Sequence, residues 1–162
     1  MAFLNRLNAI RPTLLALLIV CLGNVALADD GLRRSTSELI YVPAYPEVLT
    51  EPDVTQQMAV TIVVHNIDPN QSLTLQSVQY LDHRGDQNRN LLNQELTLAP
   101  LGSWKFVIGM RETTGEIGAN FLVKWSGSQP TLAPIVEAIM IGGNGTQGLS
   151  FASRGKVISR TP

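Results

Sequence analysis

Cysteine is almost missing from this chain: Cys21 is the single one among 162 residues. It lies in an apolar amino-terminal run, so the remainder can form no disulfide, thiolate nucleophile or cysteine-ligated metal site. Histidine is nearly as scarce, with only His65 and His83. Charged residues make up 15% of the chain and the formal net charge is −1. No basic stripe gathers them, which argues against nucleic acid and anionic membrane surfaces as partners. No stretch keeps the periodicity of an amphipathic helix for about twelve residues. No apolar run reaches the roughly 20 residues that span a hydrocarbon core. Gly-X-Ser-X-Gly is absent too, so no nucleophile elbow supports a hydrolytic triad.

What is present begins with a leader built for export. Arg6 and Arg11 give a positive start, with no acidic residue before Asp29. An apolar stretch from Leu14 to Leu22 follows, closed by Gly23 and Asn24. Ala26-Leu27-Ala28 then places small residues where a signal peptidase reads, so residues 1–28 read as a cleavable signal peptide. Val20 precedes Cys21, where lipoprotein processing wants a smaller residue. Removing 28 of 162 residues leaves 134, enough for one domain with a core. Loss of the two arginines takes the net charge from −1 to −3. No stable membrane insertion is expected after cleavage. An exported domain without disulfides suits a bacterial periplasm or cell surface, so the expected location is periplasmic or secreted.

The mature part alternates at period two, broken by turn chemistry. Met58, Val60, Ile62 and Val64 share one parity, as do Phe121, Val123 and Trp125. Trp104, Phe106, Ile108 and Met110 share another, and both tryptophans read as core on this basis. Leu73 and Leu75 are out of phase with Val78 and Tyr80, which predicts a bulge. Residues 134–143 form a nearly continuous apolar run, as a central strand would. Further strands are expected near 38–43, 89–98 and 148–159. Asp68-Pro69-Asn70, Arg84-Gly85-Asp86 and Gly142-Gly143-Asn144-Gly145 supply turns. Residues 29–37 read as a flexible leader. Residues 38–162 read as a single all-β domain, an antiparallel, immunoglobulin-like β-sandwich of about seven or eight strands.

Several segments carry a family likeness. They include Tyr41-Val42-Pro43-Ala44-Tyr45, Val64-His65-Asn66-Ile67-Asp68-Pro69 and Gly118-Ala119-Asn120-Phe121-Leu122-Val123-Lys124-Trp125. The most specific are Pro134-Ile135-Val136-Glu137-Ala138-Ile139-Met140-Ile141-Gly142 and Gln147-Gly148-Leu149-Ser150-Phe151-Ala152-Ser153-Arg154-Gly155. Together they resemble an exported bacterial family known only as domain of unknown function three-one-two-four. The resemblance covers nearly the whole mature chain and implies one exported domain. It implies no reaction, ligand or catalytic residue.

Among candidate site residues, Glu137 stands first because its strand neighbours are all apolar. A carboxylate buried there needs a cation, hydrogen bonds or a proton. It serves either as a binding or acid–base group, or as an edge-facing residue or half of a structural ion pair with Arg154 or Lys124. Arg154, with Ser153 beside it, is suited to clamping a carboxylate or phosphate. The glycine-rich run before it reads as a hairpin turn rather than a phosphate cradle, since no helix follows. Tyr41 and Tyr45 flank Pro43 in an edge-like segment and are candidates for surface contact. His65, Asp68, Asp82 and His83 contain metal-ligand chemistry without ligand spacing, and adjacent side chains on a strand face opposite ways. The sequence implies no cofactor and no catalytic residue. It is read as a non-enzymatic binding or interaction module of the bacterial envelope, with an envelope protein or small ligand as partner. The alternative is a hydrolase or small-ligand enzyme using Glu137 and Arg154.

Overall fold

The computed structural model describes residues 32–162, apart from Thr113, Gly145 and Thr146. The signal-peptide segment therefore lies outside the described residues. The rest is strands: β1 (Arg34–Pro43), β2 (Glu47–Glu51), β3 (Val54–His65), β4 (Leu73–Leu81), β5 (Gln87–Asn90) and β6 (Leu96–Leu98), then β7 (Ser103–Ile108), β8 (Asn120–Leu132), β9 (Ile135–Asn144), β10 (Gln147–Arg154) and β11 (Lys156–Thr161). β1 begins inside the stretch expected to be a flexible leader, because Arg34 and Ser35 pair with Leu132 and Thr131 of β8.

All pairings are antiparallel and fall into two sheets. One runs β11-β1-β8-β4-β5, with β6 also on β4, and the other runs β10-β9-β3-β2, with β7 also on β3. The alternation seen in the sequence decides which side chains lie between them. Ile40, Val42, Leu73, Leu75, Val78, Tyr80, Phe121, Val123 and Trp125 come from the first sheet. Met58, Val60, Ile62, Val64, Ile108, Ala138 and Met140 come from the second, and together they form one buried cluster. This is a β-sandwich. Eleven strands rather than seven or eight arise because short pieces such as β2, β5 and β6 trim the edges, and because the segment expected near 148–159 is two strands.

That split occurs at Gly155, where the chain leaves one sheet for the other. Its N–H donates to the Val136 carbonyl at 2.8 Å. A Cβ there would sit 2.6 Å from Ile40 Cγ2 and 3.1 Å from the Val136 oxygen, so only glycine passes through. The expected slip in β4 is also present: its register against β8 shifts between Leu75 and Ser77. The shift lets Leu73, Leu75, Val78 and Tyr80 all face the core despite their opposed parities. Pro43 ends β1 beyond the residues that pair with β11, so its missing N–H is not needed there.

One core expectation fails. Phe121 and Trp125 are fully buried, but Trp104 is 50% exposed and Phe106 only half-buried. Their parity is right, since they pair with Val64 and Ile62. β7, however, lies beside β3 at the margin of its sheet, where the other sheet ends in the short β5 and β6. Trp104 and Phe106 line an open cleft with Leu91, Leu92 and Leu96 instead of meeting a full second layer.

Candidate binding face

Three buried carboxylates are consumed by the fold. Asp68 is completely enclosed, and its Oδ2 accepts from Arg34 Nη1 at 2.6 Å and from the Leu132 N–H at 3.0 Å. Its Oδ1 accepts from the N–H groups of Asn70 and Gln71. Burial works to raise its pKa, but those backbone donors and Arg34 outweigh it and hold the group at about 2. Asn66, two residues earlier, donates through Nδ2 to the carbonyls of Gln71, Leu98 and Ala99. Asn66 and Asp68 thus bind the β3–β4 loop to the β6–β7 turn and to the ends of β1 and β8. Asp82 caps the β4–β5 turn by accepting from Arg84 and Asp86 N–H groups, which lower its pKa against the opposing effect of burial.

The metal reading of His65, Asp68, Asp82 and His83 dissolves in this geometry. β4 separates the first two from the last two by its nine residues, roughly 30 Å of extended chain. His83 Nδ1 instead lies 3.3 Å from Glu116 Oε2 at the surface. Among the described residues, no cluster of three or more metal-binding side chains occurs.

Asp68 also gives the protein a pH dependence with a definite sign. Its folded pKa of about 2 is below the ordinary 3.8, so its stabilising contribution is complete above about pH 4 and fades as pH falls toward 2. Urea unfolding midpoints measured from pH 5 to pH 2 are expected to fall across that window. Asp68→Asn should start lower and show a flatter profile there; a parallel profile would remove Asp68 as the cause.

The third carboxylate, Glu38, was not singled out in the sequence. It is 2% exposed, on the inward parity of β1 with Ile40 and Val42. Its cross-strand neighbours are Trp125 on β8 and Arg160 on β11. Oε2 accepts from Trp125 Nε1 at 3.3 Å and Oε1 from Arg160 Nε at 2.5 Å. The Glu38–Ile40–Val42 alternation was the available signal, obscured because 29–37 reads as a polar leader.

Glu137, expected to be buried, is not: its side chain is 27% exposed and faces outward from β9. The correction comes from parity, since Val136, Ala138 and Met140 take the inward positions. Arg154 is its direct partner on β10, with Nε 3.9 Å from Glu137 Oε2 and a side chain 85% exposed. Lys124 belongs to the other sheet. Ser153 points the opposite way from Arg154, and its Oγ donates to the Pro43 carbonyl at 2.5 Å, tying β10 to the end of β1. Tyr45 packs on Phe151 with ring centroids 5.8 Å apart and is half-buried at the core margin rather than offered as surface. Tyr41 lies on the outer side of the six-stranded sheet beside Leu122 and Lys156. The candidate residues therefore do not meet at one point. Only Glu137 and Arg154 adjoin, and they do so on an open sheet surface.

Glu137→Gln is accordingly expected to cost no more than about 1 kcal/mol in denaturant unfolding, the range for exposed ion pairs. A loss of 3 kcal/mol or more, of the order found for buried pairs, would show a much drier environment.

The surface around that pair is unusual for the outside of a sandwich. Registers place Lys105, Val63, Glu137 and Arg154 in one cross-strand row over β7, β3, β9 and β10. The neighbouring row holds Val107, Thr61, Ile139 and Ala152, and the next holds Ala59, Ile141 and Ser150. Val107 is 56% and Ile141 54% exposed, and Ile135 at the start of β9 is exposed too. The outer side of the other sheet also carries Leu39, Tyr41 and Leu122, but interleaves them with Lys124, Gln79, Lys156 and Ser159. A contiguous apolar, β-branched patch bordered by charge marks a contact surface more often than scattered exposed residues do.

Two antiparallel sheets closed on one apolar core, with one outer side apolar, define a β-sandwich protein with an exposed sheet face. The chain belongs to the family described as Protein of unknown function (DUF3124), whose model matches residues 37–158. Among solved structures it is similar to the crystal structure of Thermotoga maritima 1070, with a TM-score of 0.45 and 8% identity over 78% of this chain and 95% of that one. None of the curated proteins matches significantly.

Proposed function

We propose that this protein is an exported, non-enzymatic interaction module of the bacterial envelope, and that it binds through the outer face of the five-stranded sheet. The observation that carries the reading is the exposure of Val107, Ile135 and Ile141 on one sheet face, with the row of Lys105, Glu137 and Arg154 running beside them. Leaving such residues in water costs about 25 cal/mol for each Å² of apolar area that a partner could cover. The charged row supplies register and selectivity. Export is supported by the arginine-flanked apolar run and the Ala26-Leu27-Ala28 site in the sequence.

Both halves of the reading are open to test in the producing cell. Mass spectrometry should find a mature chain beginning at Asp29, and full-length protein in the cytosol would contradict export. A photo-crosslinking phenylalanine analogue in place of Ile141 should yield a discrete adduct, abolished by adding Ile139→Asp. The same probe at Gln79, on the other sheet, should yield none. Equal labelling from both positions would defeat the assignment of this face.

A further inference from the structure

We infer that the occupant of this face is a second copy of the same chain, packed sheet to sheet about a two-fold axis running along β3. The inference rests on reading the outer face of the five-stranded sheet as a binding surface.

The argument begins with the row Lys105–Val63–Glu137. Val63 lies on β3, Lys105 one strand to one side and Glu137 one strand to the other. A two-fold axis lying in the interface along β3 exchanges the two sides. It sets Val63 upon the partner's Val63, and it brings Lys105 opposite the partner's Glu137 twice over. The adjacent row behaves in the same way: Thr61 falls on the axis, and Val107 meets the partner's Ile139. The face is thus complementary to itself in charge. The opposite outer face, with lysines on both β8 and β11, has no such pairing.

Sheet geometry permits this arrangement. An axis along β3 keeps the strands of the two copies close to parallel in direction, which is the aligned mode of sheet packing at about 10 Å separation. Val63, Thr61, Val107 and Ile139 are small or β-branched, as such an interface needs. Arg154 reaches Glu137 from within the chain at 3.9 Å, yet the Glu137 side chain stays 27% exposed, so the carboxylate keeps room for a second cation.

The size of the face sets the expected strength. Four strands about 4.8 Å apart, over roughly five residues each, give a backbone area of about 15 by 17 Å. That belongs with small, reversible interfaces of less than about 1,200 Å² in total rather than with obligate dimers. Association is therefore expected at concentrations on the order of 1–100 μM, a modest free energy by affinity arithmetic.

Sedimentation velocity on the purified protein tests this directly, with Lys105→Glu and Glu137→Lys as variants. The wild type should shift from monomer to dimer with rising concentration. Each variant alone faces two like-charge contacts and should dissociate roughly tenfold more readily. An equimolar mixture of the two variants should associate again, because each supplies the charge that the other has lost. Circular dichroism and melting curves establish that both variants are folded. A wild type monomeric to about 200 μM, or a mixture no more associated than its components, would overturn the inference. The crosslink from Ile141 separates this failure from that of the binding reading. A monomer whose Ile141 probe still gives a specific adduct with another protein loses self-association alone. A monomer with no adduct loses both.

Discussion

Phe121→Ala should lower the unfolding free energy by about 3–5 kcal/mol, a large part of the stability of a domain this size. The ring is completely buried on β8 and lies against Tyr80, with centroids 5.2 Å apart. Deleting it removes apolar contacts from both sheets and leaves a cavity that two hydrogen-bonded layers cannot easily close. It also removes a ring packed on Tyr80, whose phenol burial pushes up to about 12 with Glu112 adding to the effect. Trp104→Ala, the same truncation on the same nominal core parity, should cost only about 2 kcal/mol, because half of that residue is already in water. Urea unfolding of the two variants side by side is the measurement. Equal losses would mean that the cleft beside β7 is closed in solution.

The second large effect is expected at Glu38. Glu38→Ala removes the acceptor of Trp125 Nε1 and the counter-charge of Arg160 at once, and should cost about 3 kcal/mol. Arg160 is one-third exposed and can turn toward water, which keeps the figure from rising further. Arg160→Met should be costly for the converse reason, since it leaves a fully enclosed carboxylate with only an indole donor. In a double-mutant cycle the two losses should fall short of additive by more than about 1 kcal/mol. Additive losses would show that the residues act separately.

These two sites show how far a strand pattern reaches. Period-two alternation assigned Phe121, Val123 and Trp125 to the core because β8 is paired on both sides and covered by a complete second sheet. The same rule misplaced Trp104, because parity tells which way a side chain points and not whether anything lies opposite. The continuous apolar run over residues 134–143, read without parity, put a charge in the wrong place. Glu137 drew attention because its neighbours in sequence are apolar, yet adjacent residues of a strand lie on opposite faces, and its own face is open. Glu38 escaped attention because the residues just before it are polar, although its i+2 and i+4 neighbours are Ile40 and Val42.

Local chemistry in the chain determined the all-β class, the bulge in β4 and the family. All of these depend on residues close together in sequence or on short characteristic segments. Strand order, the crossing at Gly155 and the enclosure of Asp68 by donors from β1, β8 and its own loop depend on pairings between residues as far apart in sequence as Ser37 and Thr161. So does the single row that carries Lys105, Val63, Glu137 and Arg154. Hydrogen-bond register between strands sets such rows, and register is chosen by how two whole sheets bury their inner sides together. No local pattern contains that choice, which is why the apolar outer face appears only once the sandwich is assembled.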